Sequence, residues 1–160
     1  MAAQTQAPAV TLKAIGHGRQ LKLDAIGVPA VLVFVARETS DQPGPIIGAI
    51  RDTYPTAEEV LIISVADGRA FPRLIHKVAE QIMKSSYNDA LKNLEPGRKP
   101  EDYLIIAPDW DGAVLAPLGL DDVSKQLAFA VIDAKGGVTG VYQGDDPQAH
   151  VLELLERAIG

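Results

Sequence analysis

The strongest constraint on this chain's fold is the apolar run Pro29–Ala36, PAVLVFVA. A strand with one wet face alternates apolar and polar residues; this one does not alternate. It therefore reads as a strand buried on both faces, as in the middle of a parallel sheet covered by helices. Val60–Ala66, VLIISVA, repeats the pattern with only Ser64 interrupting it. Between the two lies a polar stretch rich in turn residues, Arg37-Glu38-Thr39-Ser40-Asp41-Gln42-Pro43-Gly44-Pro45. Ile46, Ile47 and Ile50 then share one helical face, which predicts a helix over 45–54. Strand, helix, strand is the unit from which layered α/β domains are built.

The rest of the chain extends that unit. A long helix is expected over 72–94, with Leu74, Ile75, Val78, Ile82, Leu91 and Leu94 at helical spacing, stopped by Glu95-Pro96-Gly97. Leu74, Ile75, Val78 and Ile82 form a row suited to covering the sheet. Ala79, Met83, Tyr87 and Ala90 lie beside it and would either widen the buried face or meet a partner. Further strands are expected at Tyr103–Ala107, Phe129–Asp133 and Val138–Tyr142, the last two joined by Ala134-Lys135-Gly136-Gly137. A closing helix starts at Asp146-Pro147, buries Val151, Leu152, Leu155 and Ile159, and ends at Gly160. Ahead of the first strong strand, Val10–Ile15 and Gln20–Leu23 flank Gly16-His17-Gly18 as an edge hairpin. Residues 1–9 read as a loose tail before a single domain over 10–160. The expected core centres on Val33, Phe34, Ile62, Ile63, Val131 and Ile132.

Charge and composition exclude several functions. A net charge of −6 opposes nucleic acid and anionic membrane as partners, since both need a positive footprint. No apolar run approaches the roughly 18 residues that span a bilayer. Met1–Ala9 shows no basic segment followed by an apolar one, so no leader is expected and the cytoplasm is the expected compartment. The 160 residues contain no cysteine, which removes thiolate nucleophiles, thiolate metal sites and disulfides. His17, His76 and His150 are far apart, and Asp109 and Asp111 supply too few oxygens for a hard cation. Capping is the expected role of Asp109 and Asp111, and Asp121-Asp122 and Asp145-Asp146 read as helix starts. Gly16-His17-Gly18 lacks the rest of a dinucleotide fingerprint. No metal and no cofactor is expected.

Four segments carry a family likeness: Gly18–Leu23 with Gly27–Phe34; Leu104–Leu120 (LIIAPDWDGAVLAPLGL); Ala130–Val138 (AVIDAKGGV); and the closing helix. In this order they resemble the redoxins of the thioredoxin-like superfamily, the branch of alkyl hydroperoxide reductases and TlpA-type proteins. The resemblance spans about residues 10–160. It implies a thioredoxin-like sandwich, a central mixed sheet flanked by helices, with 72–94 as a long extra helix. It also implies where the family's chemistry would sit. Thr39 and Gln42 stand where the TlpA-type pattern has its two cysteines, and Leu127 stands where the family has a cis-proline. Dithiol and peroxide chemistry therefore do not carry over. A cis bond before Leu127 would cost about 2.5–4 kcal/mol, so a trans bond is expected.

The loop at the carboxyl end of the first strong strand remains the place where such a fold presents a ligand site. Arg37, Glu38, Thr39, Ser40 and Gln42, with Leu127, are the candidate ligand-binding residues. Trp110, Met83 and Tyr87 are the candidate partner-binding residues. No catalytic residue is assigned. Two functions stand. One is a redox-inactive module binding a ligand, a protein partner or a second copy of itself. The other is an enzyme with non-thiol chemistry of its own, for example a transferase using Thr39 or Ser40 to orient a thiol cosubstrate.

Overall fold

The computed structural model describes residues 5–160. In chain order the elements are β1 (Thr5–Gln6), β2 (Thr11–Lys13), β3 (Gln20–Lys22), β4 (Ala30–Val35), α1 (Pro43–Thr53), β5 (Leu61–Asp67), α2 (His76–Lys92), α3 (Pro100–Tyr103), β6 (Ile106–Asp109), β7 (Ala128–Ile132), β8 (Gly137–Tyr142) and α4 (Pro147–Ile159). Single helical turns at Arg37–Thr39 and Arg73–Ile75 precede α1 and α2.

Six strands form one sheet in the order β1-β8-β7-β4-β5-β6, and β2 and β3 form a separate hairpin. The β4 strand is central. It runs parallel to β5, with Leu32 opposite Ile63, and antiparallel to β7, with Val31 opposite Val131. All six of its residues are buried, as the unbroken apolar run requires. Alternate residues serve the two faces. Leu32, Phe34, Ile63 and Val65 pack beneath the β2–β3 hairpin with Leu115 and Val123. Val31, Val33, Phe129 and Val131 pack against Ile46 and Ile50 of α1 and Val151 and Leu155 of α4. The six expected core residues are all buried.

Several expectations need correction. The loose tail does not extend to Thr5–Ala7: β1 pairs with β8, the Ala7 amide donates to Gly136, and Ala7 is buried. Residues 1–4 of that tail lie outside the described residues. The third expected strand starts later, at Ile106, because Pro100 with Glu101 and Asp102 opens a helical turn that takes in Tyr103. Asp121-Asp122 starts no helix; the Asp122 carboxylate accepts from the Ser124 amide and hydroxyl, and these bonds hold its pKa below the ordinary carboxylate value. Ile159 is exposed rather than buried.

The largest correction concerns α2. Leu74, Ile75, Val78 and Ile82 were expected to cover the sheet, yet they face solvent at 96, 41, 60 and 54% exposure. The neighbouring row packs instead. Ala79 and Tyr87 are its buried members, and the Tyr87 ring lies over Gly16 and meets His17 edge-on at 5.8 Å. The small Ala79 lets the helix approach, and the large Tyr87 fills the space left by a glycine turn. The helix lies beside β6 at the sheet margin, so only a narrow stripe is covered.

Candidate functional site

The turn after β4 is held from within. The Thr39 hydroxyl accepts the Ala36 amide at 2.9 Å and donates to the Val123 carbonyl at 2.8 Å. Both its hydrogen-bonding capacities are thus used, and the residue is fully buried. Ser40 Oγ donates to the Arg37 carbonyl at 3.0 Å. Gln42 Oε1 accepts the Leu127 amide at 3.2 Å, so the structure brings together two residues placed side by side by the family pattern alone. No cis peptide occurs among the described residues, Leu127 included. Gln42 and Leu127 line a hollow of about 310 Å³ between α1 and the start of α4.

Arg37 and Ser40 face the other side of α1. With Ala66, Ala79, Ile82 and Met83 they line a cavity of about 260 Å³ between α2 and the carboxyl ends of β4 and β5. A second hollow, of about 310 Å³, continues along the gap between α1 and α2. The two share Ser40, Pro43, Ser64, Ser86 and Ile106, so together they form one groove with a polar waist. Among the described residues Ser64 Oγ and Ser86 Oγ have no hydrogen-bond partner. The groove exists because β5 presents Ser64 and Ala66 where a large apolar side chain would fill the gap beneath α2.

Charge at the groove is uneven. Asp67 lines it, but both carboxylate oxygens are taken by Arg69 at 2.9 Å, which also donates to the Asp121 carbonyl at 2.6 Å. The Asp67 bond raises the Arg69 pKa. The Arg37 guanidinium has no ion pair or side-chain hydrogen bond among the described residues. At the far end, Arg51 donates to the carbonyls of Tyr54, Thr56 and Val60 at 3.2, 2.9 and 2.8 Å and lies over the Tyr103 ring. Burial lowers its pKa.

The other candidates separate. Glu38 is exposed and does not line the groove. Trp110 stacks on His76 at 4.1 Å and meets Phe71 edge-on, which pins the end of β6 to the start of α2. Tyr87 is buried and unavailable to a partner, whereas Met83 joins the loop residues at the cavity. Asp109 is buried and accepts the Val114 and Leu115 amides, so it ties down a run of turns rather than capping the helix expected there. No group of three or more His, Asp or Glu side chains that could hold a metal occurs among the described residues. Sequence reasoning missed Ser64, Ala79 and Ser86 as groove residues. The signal available was Ser64 itself, the one hydroxyl inside an otherwise apolar strand.

No protein-family model matches the chain. No curated protein sequence matches it either. Solved structures do match. MTB DsbF, described in mixed oxidised and reduced forms, is 23% identical, with a TM-score of 0.62 over 94% of this chain and 96% of its own. The exposed lipoprotein thioredoxin Etrx1 of Streptococcus pneumoniae is 20% identical, with a TM-score of 0.60 over 92 and 99%. A thiol:disulfide interchange protein of Chlorobium tepidum is 17% identical, with a TM-score of 0.59 over 100 and 99%. At these identities the likeness is one of fold. With its mixed sheet flanked by helices and its central β4 leading into the Arg37–Gln42 turn, this cysteine-free chain has the thioredoxin-like fold.

Proposed function

We propose that this chain is a ligand-binding module of the thioredoxin-like fold without thiol redox chemistry, and that its site is the groove between α1 and α2. One observation carries the reading. Arg37 and Ser40, from the loop that ends the central strand, and Met83, from α2, line the same cavity. An apolar hollow with a few convergent polar groups is the usual form of a small-molecule site. Met83 suits such a site because its unbranched side chain adapts to irregular shapes.

The transferase-like alternative has less support. A hydroxyl that orients a cosubstrate needs hydrogen-bonding capacity free for it. Thr39 is buried with its hydroxyl committed to backbone partners, and Ser40 Oγ donates to a backbone carbonyl. Placement in the redoxin branch belongs to the same proposal and rests on the Gly18–Leu23 and Ala130–Val138 segments. A second reading, contact with a protein partner or a second copy, is favoured by the exposed row Leu74, Val78 and Ile82.

A thermal-shift screen of apolar, anionic and nucleotide probes tests the main reading. The expected result is saturable stabilisation by one class, abolished in Ser86→Trp, which fills the waist of the groove. Probes that stabilise wild type and Ser86→Trp equally would refute it.

A further inference from the structure

The groove has a direction, and the direction specifies a ligand chemistry. Along its length the floor and walls are largely apolar: Ile62, Ala66, Ala79 and Met83 contribute from β5 and α2. Three hydroxyls stand at the waist, Ser40 from the loop before α1, Ser64 from β5 and Ser86 from α2. The two ends differ. At one end Arg51 is anchored to the backbone, its Nη1 donating to three carbonyls and its guanidinium lying over the Tyr103 ring. At the other end Arg37 is uncommitted, and the neighbouring Asp67 is already neutralised by Arg69. Glu38 and Asp41, beside Arg37 in sequence, do not line the groove. A cation left unpaired at the mouth of an apolar channel, in a protein of net charge −6, selects for an anion attached to an apolar tail.

Resting on the groove as the ligand site, we propose that its ligand is a single-chain amphiphile with a carboxylate head. The head pairs with the Arg37 guanidinium. The hydrocarbon tail passes the serine waist and runs between α1 and α2 toward Tyr103. A planar guanidinium can bind both oxygens of a carboxylate, which a neutral or cationic head cannot exploit. The tail gains by leaving water. About 0.8 kcal/mol per buried methylene corresponds to about fourfold in affinity for each one. Ser40 and Ser86 are exposed, so water can serve the hydroxyls of the waist beside the tail.

Calorimetric titrations below the micellar range provide the test, with decanoate, octanoate, decanol and decyltrimethylammonium as probes. Decanoate is expected to bind at one site, about fivefold or more tighter than decanol, with octanoate weaker by about fourfold per missing methylene. Decyltrimethylammonium is expected not to compete. Arg37→Gln, at an exposed position, should erase the preference for decanoate and leave decanol unchanged. Ser86→Trp should remove binding of both. If decanol and decanoate bind equally, or Arg37→Gln does not alter their ratio, the carboxylate assignment is overturned while the groove remains a ligand site. If no probe binds, or Ser86→Trp leaves binding intact in a protein of native circular dichroism, the groove reading fails and this proposal fails with it.

Discussion

The Thr39 hydroxyl donates to the Val123 carbonyl at 2.8 Å, tying the turn after the central strand to the segment that leads into β7. The same oxygen accepts the Ala36 amide. Thr39→Val keeps the shape and removes both bonds, leaving two buried backbone groups unpaired. The expected loss is about 1–3 kcal/mol in denaturant unfolding, with Thr39→Ser losing less. A thiol introduced by Thr39→Cys would be buried and slow to react with a thiol reagent, whereas one introduced by Ser40→Cys would react quickly. Equal labelling rates would contradict the burial of Thr39.

Arg51 closes the other end of the groove by holding three carbonyls that lie between the end of α1 and the start of β5. Lysine has no planar guanidinium to lie over Tyr103, and its ammonium sits on a differently shaped stem from the Nη1 that reaches the three carbonyls. Arg51→Lys should therefore lower stability by about 1–3 kcal/mol, measured as a shift in unfolding midpoint at unchanged slope.

The exposed and buried rows of α2 and the turn before it make opposite predictions. Tyr87→Ala should cost about 3 kcal/mol or more, because the ring fills the space over Gly16. Leu74→Ala should change stability by less than about 0.5 kcal/mol, against about 2–5 kcal/mol for the fully buried Ile63→Ala. If the exposed row carries self-association, light scattering should report a smaller species for the Val78→Glu, Ile82→Lys pair at unchanged thermal stability. An unchanged size would dismiss that row as a contact between copies.

Gly68 lies against Trp110. A methyl group there would come within 2.5 Å of the indole and 3.0 Å of the Trp110 backbone, which cannot yield as a flexible side-chain tip can. Gly68→Ala is expected to displace the chain's single tryptophan from its stack on His76. Altered emission and a loss of about 1–3 kcal/mol should follow. Gly48→Ala is the counterpart: it lies in α1 with open space around it and should gain about 0.5–1 kcal/mol.

The sheet was legible because β4 and β7 carry no polar residue and β5 has only Ser64 before its terminal Asp67. Val33 and Val131 can only be where they are, between the sheet and the layer of α1 and α4. The helix of 76–92 was legible as a helix but not in its orientation. Leu74, Val78 and Ile82 form the better apolar row on paper. The choice was made by features outside the helix: the glycine turn at Gly16 that receives Tyr87, and a sheet margin too narrow to cover a wide face. The loop residues Arg37 and Ser40 were legible from their place at the end of β4. Their meeting with Met83 was not, because it depends on the distance between α1 and α2. Local pattern does not encode that distance; the small side chains at Ala66 and Ala79 help set it.

The pairing of β4 bears on how the protein is made. One neighbour, β5, follows soon after it in the chain, but the other is β7, with Val31 opposite Val131. During synthesis the first half of the sheet emerges with its most apolar strand open along one whole edge, and nothing can close that edge until residue 132 has left the ribosome. Contacts so distant in sequence slow folding, and an unpaired apolar edge invites the wrong partner meanwhile. Chains truncated before β7 are thus expected to aggregate rather than to persist as a folded half.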